Sequence, residues 1–304
     1  MLQISEVTKS FGQRRVLTDV SFDVARGRLT GFVGGNGAGK TTTMRIVLGV
    51  LHADSGTVSL DGHAIGGEDL RGVGYMPEER GLYPKMTVLD QLVYLARLHG
   101  IDKAGATRRA DALLDRLGLA ERRKDALESL SLGNQQRVQI AAALVHDPDV
   151  LILDEPFSGL DPLAVDEVVT VVAEHAARGI PVLFSSHQLD VVERLCDDVV
   201  VIAGGAIRAR GTREELRERY AGDRWRMTAT TDAGWVRTVP GVRVEELAGV
   251  AVTFGAPGAA AQEVLRGAVE RGGVTAFAPV RPTLGEIFRD VVVDHARSEK
   301  ETAA

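Results

Sequence analysis

The spacing of apolar positions changes character along this chain, and each change marks where one kind of element gives way to another. From residue 3 to about 75 the pattern reads mainly as strands. It is broken by a β-turn at Asp61-Gly62 and by one helix over Thr43-Met44-Arg45-Ile46-Val47-Leu48. Between residue 87 and about 146 the pattern turns helical. Thr87-Val88-Leu89-Asp90 opens that stretch as a capping box, and apolar residues recur at Leu89, Leu92, Val93, Leu95, Ala96 and Leu98. Residues 110–117 predict another amphipathic helix, and 135–144 a further helix-forming run behind Ser131. Val150-Leu151-Ile152-Leu153 is short and unbroken, the mark of a strand buried on both faces, while 180–186 reads as a further buried strand and 199–202 as another. Asp161-Pro162 starts a helix with proline in its first turn, and Gly204-Gly205 makes a turn. Thr212-Arg213-Glu214-Glu215 caps a helix that ends near Tyr220-Ala221-Gly222.

From about Asp223 the character shifts again. Short β-like runs at 226–230, 242–246 and 250–254 surround turns rich in glycine and proline. One helix over 259–270 and a closing helix from Thr283 predict a small α+β unit without clustered catalytic residue types. Residues 298–304 are small and charged and are expected to be disordered.

Composition narrows the classes. At 304 residues the chain has room for one large domain and a small one. A net charge of -6 argues against a nucleic-acid partner, which calls for a basic balance. Arg122-Arg123-Lys124 is the one tight basic cluster, expected to be a solvated loop between helices. A single cysteine, Cys196, leaves no internal disulfide and reads as a part-buried small residue. Met1 leads straight into strand-like residues, so no signal peptide is expected, and no apolar stretch approaches the ~20 residues of a membrane span.

The candidate chemistry starts at Gly34-Gly35-Asn36-Gly37-Ala38-Gly39-Lys40-Thr41-Thr42, which fits the phosphate-binding loop with Gly34, Gly39, Lys40 and Thr41 in register. Leu29-Thr30-Gly31-Phe32-Val33 enters it as a strand and the 43–48 helix leaves it, the context the motif needs. Glycines let successive N–H groups turn toward an anion, and the helix N-terminus adds positive partial charge. In such a loop the lysine reaches the β- and γ-phosphates and the Thr41 hydroxyl ligates Mg²⁺. A glycine-rich turn with a chance lysine would lack the flanking strand and helix. A nucleoside triphosphate is the expected ligand.

Downstream, 150–153 ends abruptly in Asp154-Glu155, two carboxylates that are costly to bury without a partner. One can hold Mg²⁺ beside phosphates while its neighbour polarises a water for attack on the γ-phosphate. Alone, the same pattern could be a strand reaching solvent. Three further stretches narrow the reading: Leu130-Ser131-Leu132-Gly133-Asn134-Gln135-Gln136-Arg137, Ser158-Gly159-Leu160-Asp161, and His187 within Phe184-Ser185-Ser186-His187. This set, in this order, resembles the ATP-binding subunit of ATP-binding-cassette (ABC) transporters over roughly residues 1 to 220. Pro282-Thr283-Leu284-Gly285-Glu286-Ile287-Phe288 looks like the close of the small C-terminal domain on exporter-type subunits of the ABC-2-like drug or sodium efflux group.

The resemblance implies an α/β P-loop NTPase core of the ABC ATPase kind over 1–222. A β-subdomain and a helical subdomain inserted at about 87–146 belong to it, and an α+β accessory domain follows over 223–304. Phe11 matches the aromatic, usually tyrosine, that stacks on adenine; read from its surroundings alone it could be a core phenylalanine beside a turn at Gly12. Gly34, Gly35, Asn36, Gly37, Ala38, Gly39, Lys40, Thr41 and Thr42 bind ATP phosphates. Glu155 matches the general base, His187 the γ-phosphate-contacting histidine, and Asp154, with Thr41, the magnesium-associated pair. Glu78 stands where the family usually has glutamine, in Gly74-Tyr75-Met76-Pro77-Glu78-Glu79-Arg80, and is expected to approach ATP and Mg²⁺. Ser131, Gly133 and Asn134 form the signature loop, which completes a site on the opposite subunit. Leu132 and Asn134 depart from the commonest glycine and glutamine, and Gly35 stands where proline is common.

ATP and Mg²⁺ are therefore the implied cofactors. A homodimer and a multispanning membrane permease are the implied partners, and the cytoplasmic face of the membrane the implied location. Other classes fit less well. A soluble cassette switch of translation usually carries two phosphate loops, and one is present. A chromosome or repair cassette needs long coiled-coil heptads, which are absent. A non-hydrolysing sensor is disfavoured because Glu155 and His187 both stand in place.

Overall fold

The computed structural model describes residues 1–65, 67–79 and 81–292. The expectation for 298–304 lies outside these residues. Chain contacts divide them into one unit over Met1–Arg213, to which Val291 also belongs, and a second over Glu214–Asp290. The division falls before the composition change at Asp223, so the helix capped around Thr212 groups with the second unit.

The first unit opens with β1 (Leu2–Phe11), β2 (Arg14–Val24), β3 (Leu29–Val33), α1 (Lys40–Val47), β4 (Ser55–Leu60), β5 (His63–Ala64) and β6 (Val73–Met76). A helical stretch follows in α2 (Val88–Leu98), α3 (Lys103–Arg116) and α4 (Leu132–Leu144). Then come β7 (Val150–Leu153), α5 (Pro162–Ala177), β8 (Val182–Ser186), α6 (Leu189–Leu195), β9 (Asp198–Ala203) and β10 (Ala206–Thr212). The unbroken apolar runs become the centre of a six-stranded sheet ordered β10-β9-β3-β8-β7-β6, parallel except for β10. Every residue of β3, β7 and β8 is buried, as strands covered on both faces require. An antiparallel sheet, β2-β1-β4-β5, buries Leu2, Ile4, Val7, Leu17, Val20 and Phe22 in the same core as Phe32, Met44 and Ile152. Its β4–β5 turn runs through Asp61 and Gly62, both with positive φ.

Caps set the helix starts. Thr87 accepts from the Asp90 N–H at 3.2 Å and its hydroxyl donates to the Asp90 carboxylate at 2.7 Å. Asp161 accepts from the Ala164 N–H at 3.0 Å with Pro162 at the first helical position. α3 begins well before residue 110, because Asp102 caps it through the Gly105 N–H. Its first turns bury only Ala106, too little apolar surface for periodicity to reveal. The basic cluster is not simply solvated. Arg123 pairs with Asp111 and Asp115 of α3 at 3.1 and 3.3 Å and donates to the Ala120 carbonyl at 2.7 Å. Cys196 is fully rather than partly buried, and burial pushes its thiol pKa up. Among the described residues no helix is long and apolar enough to cross a membrane.

The second unit contains most of α7 (Arg213–Arg219), then β11 (Arg224–Ala229), β12 (Arg243–Ala248), β13 (Ala251–Gly255), α8 (Gly258–Glu270) and β14 (Val274–Pro279). Its antiparallel sheet is ordered β12-β13-β11-β14, and Met227, Val252, Phe254, Ala261 and Val264 form its core. β14 escapes the sequence pattern because it is an edge strand with four exposed positions and a terminal proline. Thr283 caps the last helix in a reciprocal box with Glu286.

Candidate functional site

Loops leaving the carboxyl ends of the parallel strands β3, β6, β7 and β8 frame a cleft of about 540 Å³, where open α/β sheets hold ligands. Strand register brings them together: Val33 lies beside Ser186, Leu153 beside Phe184, and Met76 beside Leu153. The segments after β7 and β8 carry Asp154-Glu155 and His187 directly after a buried strand.

After β3, the Ala38 N–H donates to the Gly35 carbonyl at 3.1 Å and α1 starts at Lys40. Gly39 has φ 111°, and a Cβ there would lie 2.5 Å from Leu17 Cδ2, so no other residue fits without displacement. A Cβ on Gly34 would lie 2.6 Å from the Ile202 carbonyl oxygen. The loop is thus seated tightly on β2 and β9, with N–H groups gathered at the positive end of α1. Lys40 is buried, and its Nζ donates to the carbonyls of Gly34 at 2.7 Å and Gly35 at 3.4 Å. Gly35, Asn36, Gly37, Gly39, Lys40, Thr41 and Thr42 all line the cleft, whereas Gly34 and Ala38 form the loop without lining it.

At the end of β7 two adjacent carboxylates meet different partners. Asp154 is 1% exposed, and its Oδ1 accepts from Ser185 Oγ at 2.5 Å. Its Oδ2 is buried without a hydrogen-bond partner. The Ser185 oxygen in turn accepts from the Glu155 N–H at 2.9 Å. Glu155 adopts φ 53°, a left-handed angle uncommon outside glycine. Its Oε2 accepts from His187 Nδ1 at 2.8 Å, and the His187 N–H lies 3.4 Å away. An ionised carboxylate only accepts, so Nδ1 is the donor of this contact. The His187 side chain is 58% exposed and faces the cleft with Asp154 and Glu155. The Asp154 charge reaches further: burial first, and then this carboxylate, push the Tyr75 phenol pKa up.

Glu78 follows β6 and lines the same cleft. Gln139 of α4 donates to the flanking carbonyls of Pro77 and Glu79 at 3.5 and 3.3 Å. Phe11, at the end of β1, is half exposed and is no core residue; Lys9 Nζ lies 5.7 Å from its ring centroid. Arg14 and Val16 of β2 line that end of the cleft beside it. Ser131, Gly133 and Asn134 do not line the cleft. Ser131 caps α4 by accepting from the Asn134 N–H at 3.3 Å, and Leu132 is 59% exposed. A Cβ on Gly133 would lie 3.4 Å from the Gly159 carbonyl oxygen, so this loop packs beside the segment that follows Glu155.

Sequence reasoning missed Ser185, Gln136, Gln139, Arg14 and Val16. Three left a trace: Ser185 is polar within a fully buried strand, and Gln136 and Gln139 interrupt the apolar side of α4. Among the described residues no group of three or more His, Cys, Asp or Glu could hold a metal by itself. The partnerless Asp154 oxygen and the Thr41 hydroxyl are the hard donors a divalent cation takes, so the residues present fit Mg²⁺ held jointly with phosphates.

Residues 17–158 match the family described as ABC transporter, and residues 211–292 match the C-terminal domain of DrrA1-3-like ATP-binding proteins. A protein of Bacillus subtilis described as the uncharacterized ABC transporter ATP-binding protein YhaQ is 41% identical over 220 residues, 72% of this chain and 74% of that one. The linearmycin resistance ATP-binding protein LnrL of the same organism is 36% identical over 226 residues, 73% of each chain. Among solved structures, one described as the ATP binding subunit of an ABC transporter superposes with a TM-score of 0.68 at 33% identity, covering 72% of this chain and 93% of that one.

Proposed function

Since the chain belongs to the family of ABC transporter ATP-binding proteins and is an ATPase of that kind, we propose that it powers a membrane permease that exports its cargo. The observation that carries this reading is the gathering of Lys40, Thr41, Asp154, Glu155 and His187 in one cleft, with Phe11 at its other end. The matched C-terminal domain and the resistance function in the name of LnrL favour export over uptake. That second unit serves as a regulatory or dimer-stabilising appendage.

Adenine stacks on Phe11, and the triphosphate lies along residues 34–42 with Lys40 on its β- and γ-phosphates. Thr41, Asp154 through Oδ2 and Glu78 would hold Mg²⁺, which supplies charge neutralisation on the phosphate oxygens. Glu155 accepts a proton from water as the water oxygen bonds to the γ-phosphorus. The bond from that phosphorus to the bridging oxygen breaks, and ADP leaves with the electron pair. His187 Nδ1 orients the Glu155 carboxylate while its exposed Nε2 edge meets the γ-phosphate.

Ser131, Gly133 and Asn134 stand outside the cleft of their own chain, which supports their completing the site of a second copy, head to tail. The Gln139 bonds to the 77–79 segment give the Glu78 loop a mechanical tie to the helical stretch, where the permease docks at the cytoplasmic face of the membrane. Glu155→Gln should bind MgATP yet lose roughly 100-fold or more of turnover, and should shift the protein toward dimer in light scattering. Adding Ser131→Arg should abolish that dimer while ATP stays bound. Turnover within about two-fold of the parent would remove Glu155 from the role of base. A monomer at every ATP concentration would remove the composite site.

A further inference from the structure

Gln136 lies in the helix that Ser131 caps and is buried to 4% exposure. Its Nε2 donates to two successive main-chain oxygens, those of Glu155 and Pro156, each at 3.1 Å. The nitrogen side of Glu155 is held as well, by Ser185 Oγ at 2.9 Å. Between these two clamps the residue keeps φ 53°, which an L-amino acid seldom holds unaided. The Cα–Cβ direction follows from the backbone angle. At an ordinary negative φ the carboxylate would leave both His187 and the position from which it faces the cleft.

We propose that Gln136 is a positioning residue for hydrolysis, which holds the Glu155 main chain in its left-handed turn and so aims the carboxylate at the attacking water. Because Gln136 rides on the helix whose first turn is the signature loop, a displacement of that loop is delivered to the base of the same chain. The inference rests on Glu155 being the base. Ser185 fixes the nitrogen side from a strand buried at the centre of the sheet, whereas Gln136 fixes the carbonyl side from the helical stretch. Relative movement of the two would turn the carboxylate.

The test uses the full chain and MgATP. Gln136→Met keeps the volume and removes the donor. It should lower turnover roughly ten-fold and leave equilibrium ATP affinity within about two-fold, since Gln136 does not line the cleft. In a Glu155→Gln background the same change should alter the residual rate by less than about two-fold, because the group it positions is already gone. Gln136→Glu offers an internal rescue: an ionised carboxyl cannot donate to the Glu155 carbonyl, and a protonated one can. Its turnover relative to the parent should rise as pH falls from 8 toward 6. A folding defect would not produce that rise within one preparation. Parental turnover in Gln136→Met would overturn the proposal. So would a parallel loss of ATP affinity, an equal loss in the Glu155→Gln background, or a flat pH ratio for Gln136→Glu. If Glu155→Gln itself hydrolysed ATP at the parental rate, the premise about the base would fail instead, a result distinct from all of these.

Discussion

Asp154 and Glu155 are neighbours in the chain with opposite surroundings, a difference that fits the two roles proposed for them. One Asp154 oxygen is taken by Ser185 and the other has no partner, whereas the Glu155 carboxylate is already engaged by His187. Lys40 shows the same economy, its buried ammonium bonded to carbonyls of the loop that carries it. Lys40→Ala should therefore weaken ATP binding by at least about ten-fold, from loss of the phosphate partner and from an orphaned Gly34 carbonyl. Titration with a fluorescent ATP analogue that gave the parental Kd would contradict this. The loop, the carboxylate pair and His187 were legible in sequence because each is a local pattern at a strand end. Ser185 and Gln136 were not, because their targets, Asp154 and the Glu155 main chain, are distant in sequence and reached only through tertiary packing.

Among the elements, those announced by a cap were read most directly. The start at Asp161-Pro162 and the box at Thr87 both appear as expected, and the strands 150–153 and 182–186 followed from short, mainly apolar runs. α3 and β14 show the limit. The first bears a small apolar face over its opening turns, and the second is an exposed edge strand that, among the described residues, pairs with β11 alone. The caps also make a measurable claim. Asp161→Ala deprives the Ala164 N–H of its acceptor and should cost about 1 kcal/mol in urea unfolding, with m unchanged. A midpoint equal to the parent's would mean that Pro162 alone fixes this helix start.

For the folded chain as a whole, stability should depend on pH through one stacked pair of imidazoles. His146 lies face to face with His99, ring centroids 3.9 Å apart at 16°. Burial first, and then the neighbouring His99, hold its pKa down to about 4 from an ordinary value of 6.5. The unfolded chain thus takes up a proton near pH 6.5 that the native state refuses until about pH 4. The stability this group supplies is complete above pH 6.5 and is lost as pH falls from there toward 4. Burial shifts His175 in the same direction. His146→Phe keeps a ring in the stack and removes the titration. It should reduce the loss of unfolding free energy between pH 7 and 5 by on the order of 1–2 kcal/mol. Parallel pH curves for variant and parent in urea melts would assign the acid lability elsewhere.

The seat of Gly39 on Leu17 has a consequence for which nucleotides this chain can come to accept. Val16 lines the end of the cleft near Phe11, and the next residue along β2 bears on the glycine that opens α1. On the ATP placement proposed above, the cleft borders consecutive residues of one strand, Val16 and Leu17. On that placement, a change at Phe11 or Arg14 would alter which ring is welcome and leave the seat of Gly39 in place. A bulkier residue at Leu17 would press on Gly39 and displace the loop that it closes. Drift toward another nucleobase thus has its freedom at Phe11 and Arg14 of the β1–β2 hairpin, and almost none three residues further along at Leu17.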